Sequence, residues 1–286
     1  MRLGCNWRTF SSADDLDRAA DYLSTYNVGT IGAPPNLGEW SISDARAYGN
    51  DVRDRGLTIG EAGYWENLMT PSERIRTERI ATIRDLLKVA DAMRVDCVVT
   101  LVGSMSEGSA GEPHPDNYAE AAKARARETL DRILDGIHLD HTTFALEPWY
   151  NSFFHRAPQV RRFLDSVPDD RLGVHMDAMN MLCIGTVHRS REAIDDMFDL
   201  LGEDVVSAHA KDIIMDSGEP MVALRECPPG KGTMDYDRYL SQLDSLDDDI
   251  PVFTEHWKSD DTYERTLEYL RKRANAIDAT IVTPAF

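Results

Sequence analysis

Eight short apolar runs, most of them separated by longer amphipathic stretches, set the rhythm of this 286-residue chain. The runs are Arg2 to Cys5, Val28 to Gly32, Leu57 to Ile59, Cys97 to Val102, Thr143 to Leu146, Leu172 to Met176, Val205 to Ala208 and Pro251 to Thr254. Short, nearly continuous apolar runs are the signature of strands buried on both faces. Helical periodicity covers Pro71 to Met93, Asn117 to Ile137, Ala157 to Ser166, Arg191 to Leu201, Tyr236 to Leu246 and Asp260 to Ala276. Thr70 ahead of Pro71, and Ser190 ahead of Glu192, read as helix start signals. A βα unit repeated eight times in a chain of this length predicts an α/β fold, the (β/α)8 TIM barrel. A doubly wound nucleotide-binding sheet would carry G-x-G-x-x-G after its first strand, and none is there. With no linker, repeat or low-complexity tract, residues 1–286 read as one TIM-barrel domain.

Charge narrows the partners. The chain holds 33 Asp and 17 Glu against 25 Arg and 6 Lys, a formal net charge of −19. The acids recur throughout, as at Asp14-Asp15, Asp169-Asp170, Asp195-Asp196 and Asp247-Asp248-Asp249. Such a surface repels a phosphate backbone, which excludes nucleic acid as a partner. It is the surface expected of a halophilic protein, whose self-repulsion is screened in a high-salt cytoplasm. No run approaches the ~20 apolar residues of a membrane span. The start MRLGCNWRTF lacks the apolar core of a secretory signal, so a cytoplasmic location is expected. Cys5, Cys97, Cys183 and Cys227 are widely spaced and contain no C-x-x-C, which supports neither a zinc finger nor a disulfide framework.

In a barrel of this kind the carboxyl ends of the strands converge on one mouth, so a polar residue ending an apolar run is informative. Four of the later runs end that way: T-T-F-A-L at Glu147, L-G-V-H-M at Asp177, V-V-S-A at His209 and P-V-F-T at Glu255. Three carboxylates and one imidazole at equivalent heights make an oxygen-rich site for one divalent metal ion, Mn²⁺, Mg²⁺ or Co²⁺. The Gly-, Ser- and Glu-containing segment Ser104 to His114 reads as a long loop able to cover that mouth.

These residues also carry a resemblance. Leu146 to Asn151 (L-E-P-W-Y-N), Asp177 to Asn180 (D-x-x-N), Ala208 to Asp212 (A-H-A-K-D), Pro229 to Gly232 (P-G-K-G) and Thr254 to His256 (T-E-H) resemble the xylose isomerase-like TIM barrels, which include sugar isomerases and epimerases. The resemblance implies a metal held by Glu147, Asp177, His209 and Glu255, with the two glutamates doubling as proton-transfer groups. It implies carbohydrate metabolism by a metal-dependent sugar isomerase or epimerase: a proton is removed next to a metal-bound carbonyl of a ketose or keto-polyol, through an enediolate. It also implies association into a homo-oligomer.

Two features bend that expectation. Many ketose epimerases carry His where this chain has Asn180, and an amide cannot donate a proton as imidazolium does. The H-x-K-D pattern around Lys211 is closer to inosose-dehydratase-like and keto-sugar lyase members, with Lys211 able to activate a substrate oxygen. A keto-sugar dehydratase or lyase is therefore the alternative, and a non-catalytic sugar-binding barrel the remaining one. Further residues expected near the mouth are Asn6, Trp7, Glu61, Trp149, Asn151, Asn180, His256 and Trp257 as substrate contacts, with His175 beside them. Pro228 to Gly232 reads as a rigid turn, and without a P-loop or an Arg cluster a non-phosphorylated sugar is the expected ligand.

Overall fold

The computed structural model describes residues 1–283 except 217, 219, 220, 247 and 248. Eight parallel strands close into a barrel: β1 (Arg2–Cys5), β2 (Val28–Gly32), β3 (Thr58–Gly63), β4 (Val95–Thr100), β5 (Thr143–Leu146), β6 (Leu172–Met176), β7 (Val205–His209) and β10 (Pro251–Phe253). Seven of them follow one another around the barrel, and β10 closes it between β7 and β1. Helices α1 (Ala13–Thr25), α2 (Ile42–Arg53), α3 (Glu73–Met93), α4 (Glu120–Leu134), α5 (Ala157–Ser166), α7 (Ser190–Leu201), α8 (Tyr236–Asp244) and α9 (Asp260–Ala276) fill the intervals, with a single turn, α6 (Ala178–Met181), after β6. This is the expected (β/α)8 fold, with local corrections.

β3 runs to Gly63, well beyond the expected end at Ile59, because Gly60, Glu61 and Gly63 dilute its apolar signature. Glu61 therefore lies inside a strand. β4 stops at Thr100 instead of Val102, because Val102 at φ 64° and Gly103 at φ 134° turn the chain out of the sheet. α3 starts at Glu73 with Ser72 as its cap residue, leaving Pro71 outside it. α4 begins only at Glu120, since Pro115–Tyr118 winds as a 3₁₀ turn, and it ends before Gly136 at φ 64°. α7 already includes Ser190. The eightfold rhythm also misses an antiparallel hairpin, β8 (Asp212–Asp216) with β9 (Ala223–Cys227), inserted between β7 and α8. Asp247 and Asp248 of the last acidic run lie outside the described residues.

Period-two alternation decides which residues reach the barrel interior. Cys97 on β4 and Ser207 on β7 stand three strands apart in the sheet order, yet the Cys97 Sγ approaches Ser207 Oγ to 3.1 Å through the interior. Ser207 Oγ also lies 2.6 Å from His175 Nδ1 of β6. One step of two further along the same faces come His209 and Asp177. Phe253 fills the space beside β1 and β3: a Cβ on Gly4 would sit 2.2 Å from its ring, and one on Gly60 2.8 Å. Two residues beyond Phe253 is Glu255. Packing inside the barrel thus fixes the direction of the side chains at its mouth.

Candidate active site

Glu147, Asp177, His209 and Glu255 arrive from β5, β6, β7 and β10, four neighbours in the sheet. Their ligand atoms all lie within 4.8 Å of one another. Backbone contacts hold the strand ends: Glu147 N–H donates to the Thr100 carbonyl at 2.9 Å. The Tyr239 hydroxyl of α8, fully buried, lies in hydrogen-bond reach of the carbonyls of Met176 at 2.9 Å and His209 at 2.8 Å, bracing β6 and β7 where they deliver Asp177 and His209. Tyr239 is legible in the sequence only as one more aromatic on an amphipathic helix.

His209 is gripped from behind. Its Nε2 sits 3.2 Å from Glu61 Oε2, and Asn6 donates to the other oxygen of Glu61 at 2.9 Å. Nδ1 is thereby turned towards the carboxylates, 3.1 Å from Glu255, 3.8 Å from Asp177 and 3.9 Å from Glu147, without the alignment of a hydrogen bond. A carboxylate behind an imidazole is the usual device for orienting a metal ligand. Asn180 donates to Glu147 Oε1 at 2.7 Å, and its backbone N–H bonds Asp177 Oδ1.

Lys211 enters the same space. Its ammonium, wholly buried, lies 2.6 Å from Asp177 Oδ2 and 2.7 Å from Glu255 Oε1. Burial opposes the charge, but Asp177, Glu255 and Glu147 hold the amine protonated well above its ordinary range. His209 is likewise disfavoured as a cation by burial and raised overall by Glu255 and Glu61. The two glutamates are driven apart. Burial pushes the Glu147 carboxyl up to about 8 despite Lys211 and His209. Burial acts on Glu255 too, yet His209 and Lys211 outweigh it and hold this carboxyl far below its usual value. His175, enclosed and beside His209, is kept neutral by burial and by its neighbour's charge.

Three carboxylates and an outward-turned imidazole nitrogen are a donor set that fits a hard or borderline divalent cation. The spread of 4.8 Å is close to the ~4–4.5 Å across the coordination sphere of a cation with ligands at about 2.0–2.2 Å. A second group, Glu61, His175 and His209, shares His209 with the first and lies deeper.

The remaining expected residues distribute unevenly. Trp149 lines the mouth, its indole N–H donating to the Gly111 carbonyl at 3.1 Å. That bond draws the expected loop over the site, where Ser109, Ala110 and Gly111 join Glu147, Glu255 and His256 around a cleft of about 450 Å³. Asn151 instead ties that loop, reaching Gly111 O with its amide and accepting from Asn117 through its carbonyl. Trp7 stacks on Tyr263, with ring centroids 4.1 Å apart, and Trp257 donates to Thr254 at 2.6 Å. Trp257 is thus held by its N–H, whereas Trp7 is held by its ring face and its Nε1 has no hydrogen-bond partner among the described residues. His256, at φ 69°, faces Glu255 Oε1 at 3.4 Å and hydrogen-bonds Glu226 of β9, which raises its pKa. Glu226 has no signature in the sequence, because the hairpin that brings it has none.

No curated protein matches this sequence. Among solved structures, D-psicose 3-epimerase with D-tagatose from Clostridium cellulolyticum H10 superposes with TM-score 0.68 at 14% identity, covering 97% of this chain and 99% of that one. A xylose isomerase-like TIM barrel protein from Mycobacterium smegmatis in complex with magnesium gives 0.66 at 17%, covering 96% and 97%. The probable 3-DHS dehydratase of petrobactin synthesis from Bacillus anthracis gives 0.68 at 13%, covering 95% and 99%. Each shares the barrel from end to end, and their chemistries differ. Residues 12–273 match the family model described as xylose isomerase-like TIM barrel, and the chain belongs to that family.

Proposed function

We propose that this protein is a divalent-metal-dependent sugar isomerase or epimerase that removes a proton next to the carbonyl of a ketose or keto-polyol. The observation that carries the reading is the convergence of Glu147, Asp177, His209 and Glu255 within 4.8 Å at the carboxyl ends of four adjacent strands. A carbon acid α to a carbonyl is too weak for a carboxylate acting alone, and a bound divalent cation supplies the positive charge that stabilises the enediolate oxygen. Glu147, Asp177, His209 and Glu255 are the residues that would hold it. Glu255, kept ionised, is the proton acceptor. Glu147, its carboxyl raised by burial and its Oε1 held by Asn180, is the partner that returns a proton on the opposite face. Two carboxyls with separated proton affinities form an acid and base pair. Trp149 and the 109–111 segment wall the cleft against water. The sugar-enzyme neighbours support a small sugar as ligand, and the acidic surface supports a working environment of high salt.

Elimination is the second reading, and Lys211 favours it. Its ammonium, 2.7 Å from Glu255, provides an acid for a departing oxygen that an epimerase does not require. The test is proton NMR in D₂O with Mn²⁺ or Mg²⁺ on ketohexoses, ketopentoses, inosose and 3-keto-glucosides, with Glu255→Gln as control. Deuterium at the carbon next to the carbonyl, with an isomeric sugar accumulating and E255Q silent, is the expected result. An α,β-unsaturated ketone or a released aglycone identifies elimination instead. No metal-dependent exchange on any sugar would refute both.

A further inference from the structure

Beside the catalytic cleft lies a larger one, about 660 Å³, whose walls are made for something other than a bare sugar. Its lining includes Tyr150, Met179, Leu182, Ile184, Ile213 and Leu224. A free ketose offers hydroxyls on every carbon and calls for polar partners, whereas here the charged and amide groups are confined to Arg156, Asn180 and Glu226 and the rest of the wall is mostly apolar. Tyr150 is 50% exposed and Ile184 60%, so the apolar surface stands open to solvent. Open apolar patches that adjoin a site of chemistry mark binding surfaces.

The two clefts communicate. Trp149 lines both. Asn180 lines the apolar cleft and hydrogen-bonds Glu147, and Glu226 lines it and hydrogen-bonds His256, which faces Glu255. A group seated there is thus one side chain away from Glu147 and two from Glu255.

The far wall is the inserted hairpin. Cross-strand pairing of Ile213 with Glu226 and of Met215 with Leu224 puts these four on one face of the ribbon. Ile213 is buried, and Met215 and Leu224 pack partly against the core. The ribbon turns its apolar face to the cleft.

We propose that this cleft is a subsite for an apolar, ring-sized substituent on the substrate, so that the physiological ligand is a keto-sugar bearing an aryl or comparable apolar aglycone. The position of the reacting carbon rests on the metal-assisted reading above; the cleft does not. The test titrates the Mn²⁺-loaded protein with phenyl β-D-glucopyranoside and methyl β-D-glucopyranoside by calorimetry, in wild type, Ile184→Asp and Leu224→Gln. Phenyl binding about tenfold tighter than methyl is expected, the yield of burying one ring face. Each variant should abolish most of that preference and leave methyl binding unchanged. Affinities that are equal, or both too weak to measure, would overturn the subsite, as would a preference that both variants keep. An apolar face covered by a second copy of the chain gives the equal result. Deuterium exchange separates the two ideas: aryl preference without exchange sinks the proposed reaction and supports the cleft, and exchange without aryl preference sinks the cleft alone.

Discussion

Replacing Lys211 by Met tests whether the ammonium is the internal counter-charge of the acidic cluster. In the metal-free protein it is the nearest cation to Asp177 Oδ2, at 2.6 Å, and it lies 2.7 Å from Glu255, all with little or no exposure. Breaking a buried ion pair by removing one partner costs about 3–5 kcal/mol, because the remaining charge is left uncompensated. At about 2–4 °C per kcal/mol for a chain of this size, Lys211→Met should melt roughly 6–20 °C lower in EDTA at pH 8. A divalent cation at a hundred times its dissociation constant stabilises the wild type by about 2.7 kcal/mol. It should stabilise the variant more, since it replaces the missing charge. The assay is thermal unfolding followed by circular dichroism, with EDTA and with Mn²⁺. A variant as stable as wild type in EDTA, or equal Mn²⁺ shifts in the two proteins, would refute the counter-charge argument.

Three further outcomes are expected. Asp96 on β4 is pushed up to about 7 by burial, with Thr58 and Arg2 opposing. A raised carboxyl stabilises the fold fully below its unfolded pKa of about 3.9 and loses that contribution as pH rises through 7. Because Asp96 is partly exposed, the change is about 1–2 kcal/mol and not the ~4 of the full shift; denaturant unfolding of Asp96→Asn between pH 4 and 8 should lack it. Gly4→Ala places a Cβ 2.2 Å from the Phe253 ring and should cost about 1–3 kcal/mol by overpacking, read as a lower urea midpoint; an unchanged midpoint would mean the ring moves freely. With a net charge of −19, the melting temperature should climb as KCl rises from about 0.1 to 1 M, where the Debye length falls from about 10 to 3 Å. Equal melting temperatures at both salts would remove the halophilic reading.

Much of the barrel is readable because buried parallel strands announce themselves as apolar runs, and the residue that ends such a run must face the mouth. That logic reaches Glu147, Asp177, His209 and Glu255 directly. It weakens where glycine and acid interrupt the run, so β3 is read short and Glu61 is expected after its strand instead of within it. Lys211 lies beyond the end of β7, where alternation no longer dictates direction, and only tertiary packing shows it buried among the acids. Trp7 and Trp257 carry contacts that residue type does not foretell, a ring stacked on Tyr263 and an indole N–H bonded to Thr254. The hairpin is least visible. Its strands mix polar and apolar residues because one ribbon face is wet, a pattern that reads as loop.

Asp212, the residue after Lys211, accepts hydrogen bonds from the backbone N–H groups of Ile213, Gly230, Gly232 and Met234. A Cβ at Gly232 would meet its Oδ1 at 2.3 Å, so this joint admits only glycine there. The insert between β7 and α8 is thereby pinned at both its roots by one carboxylate. Such an arrangement separates inheritance of chemistry from inheritance of taste. Mutations in residues 213–227 can remodel what the mouth accepts while the joint keeps Lys211 and His209 in place, and grafting hairpins of other lengths onto Asp212 and Gly232 is the natural route to redirect the barrel to new substrates.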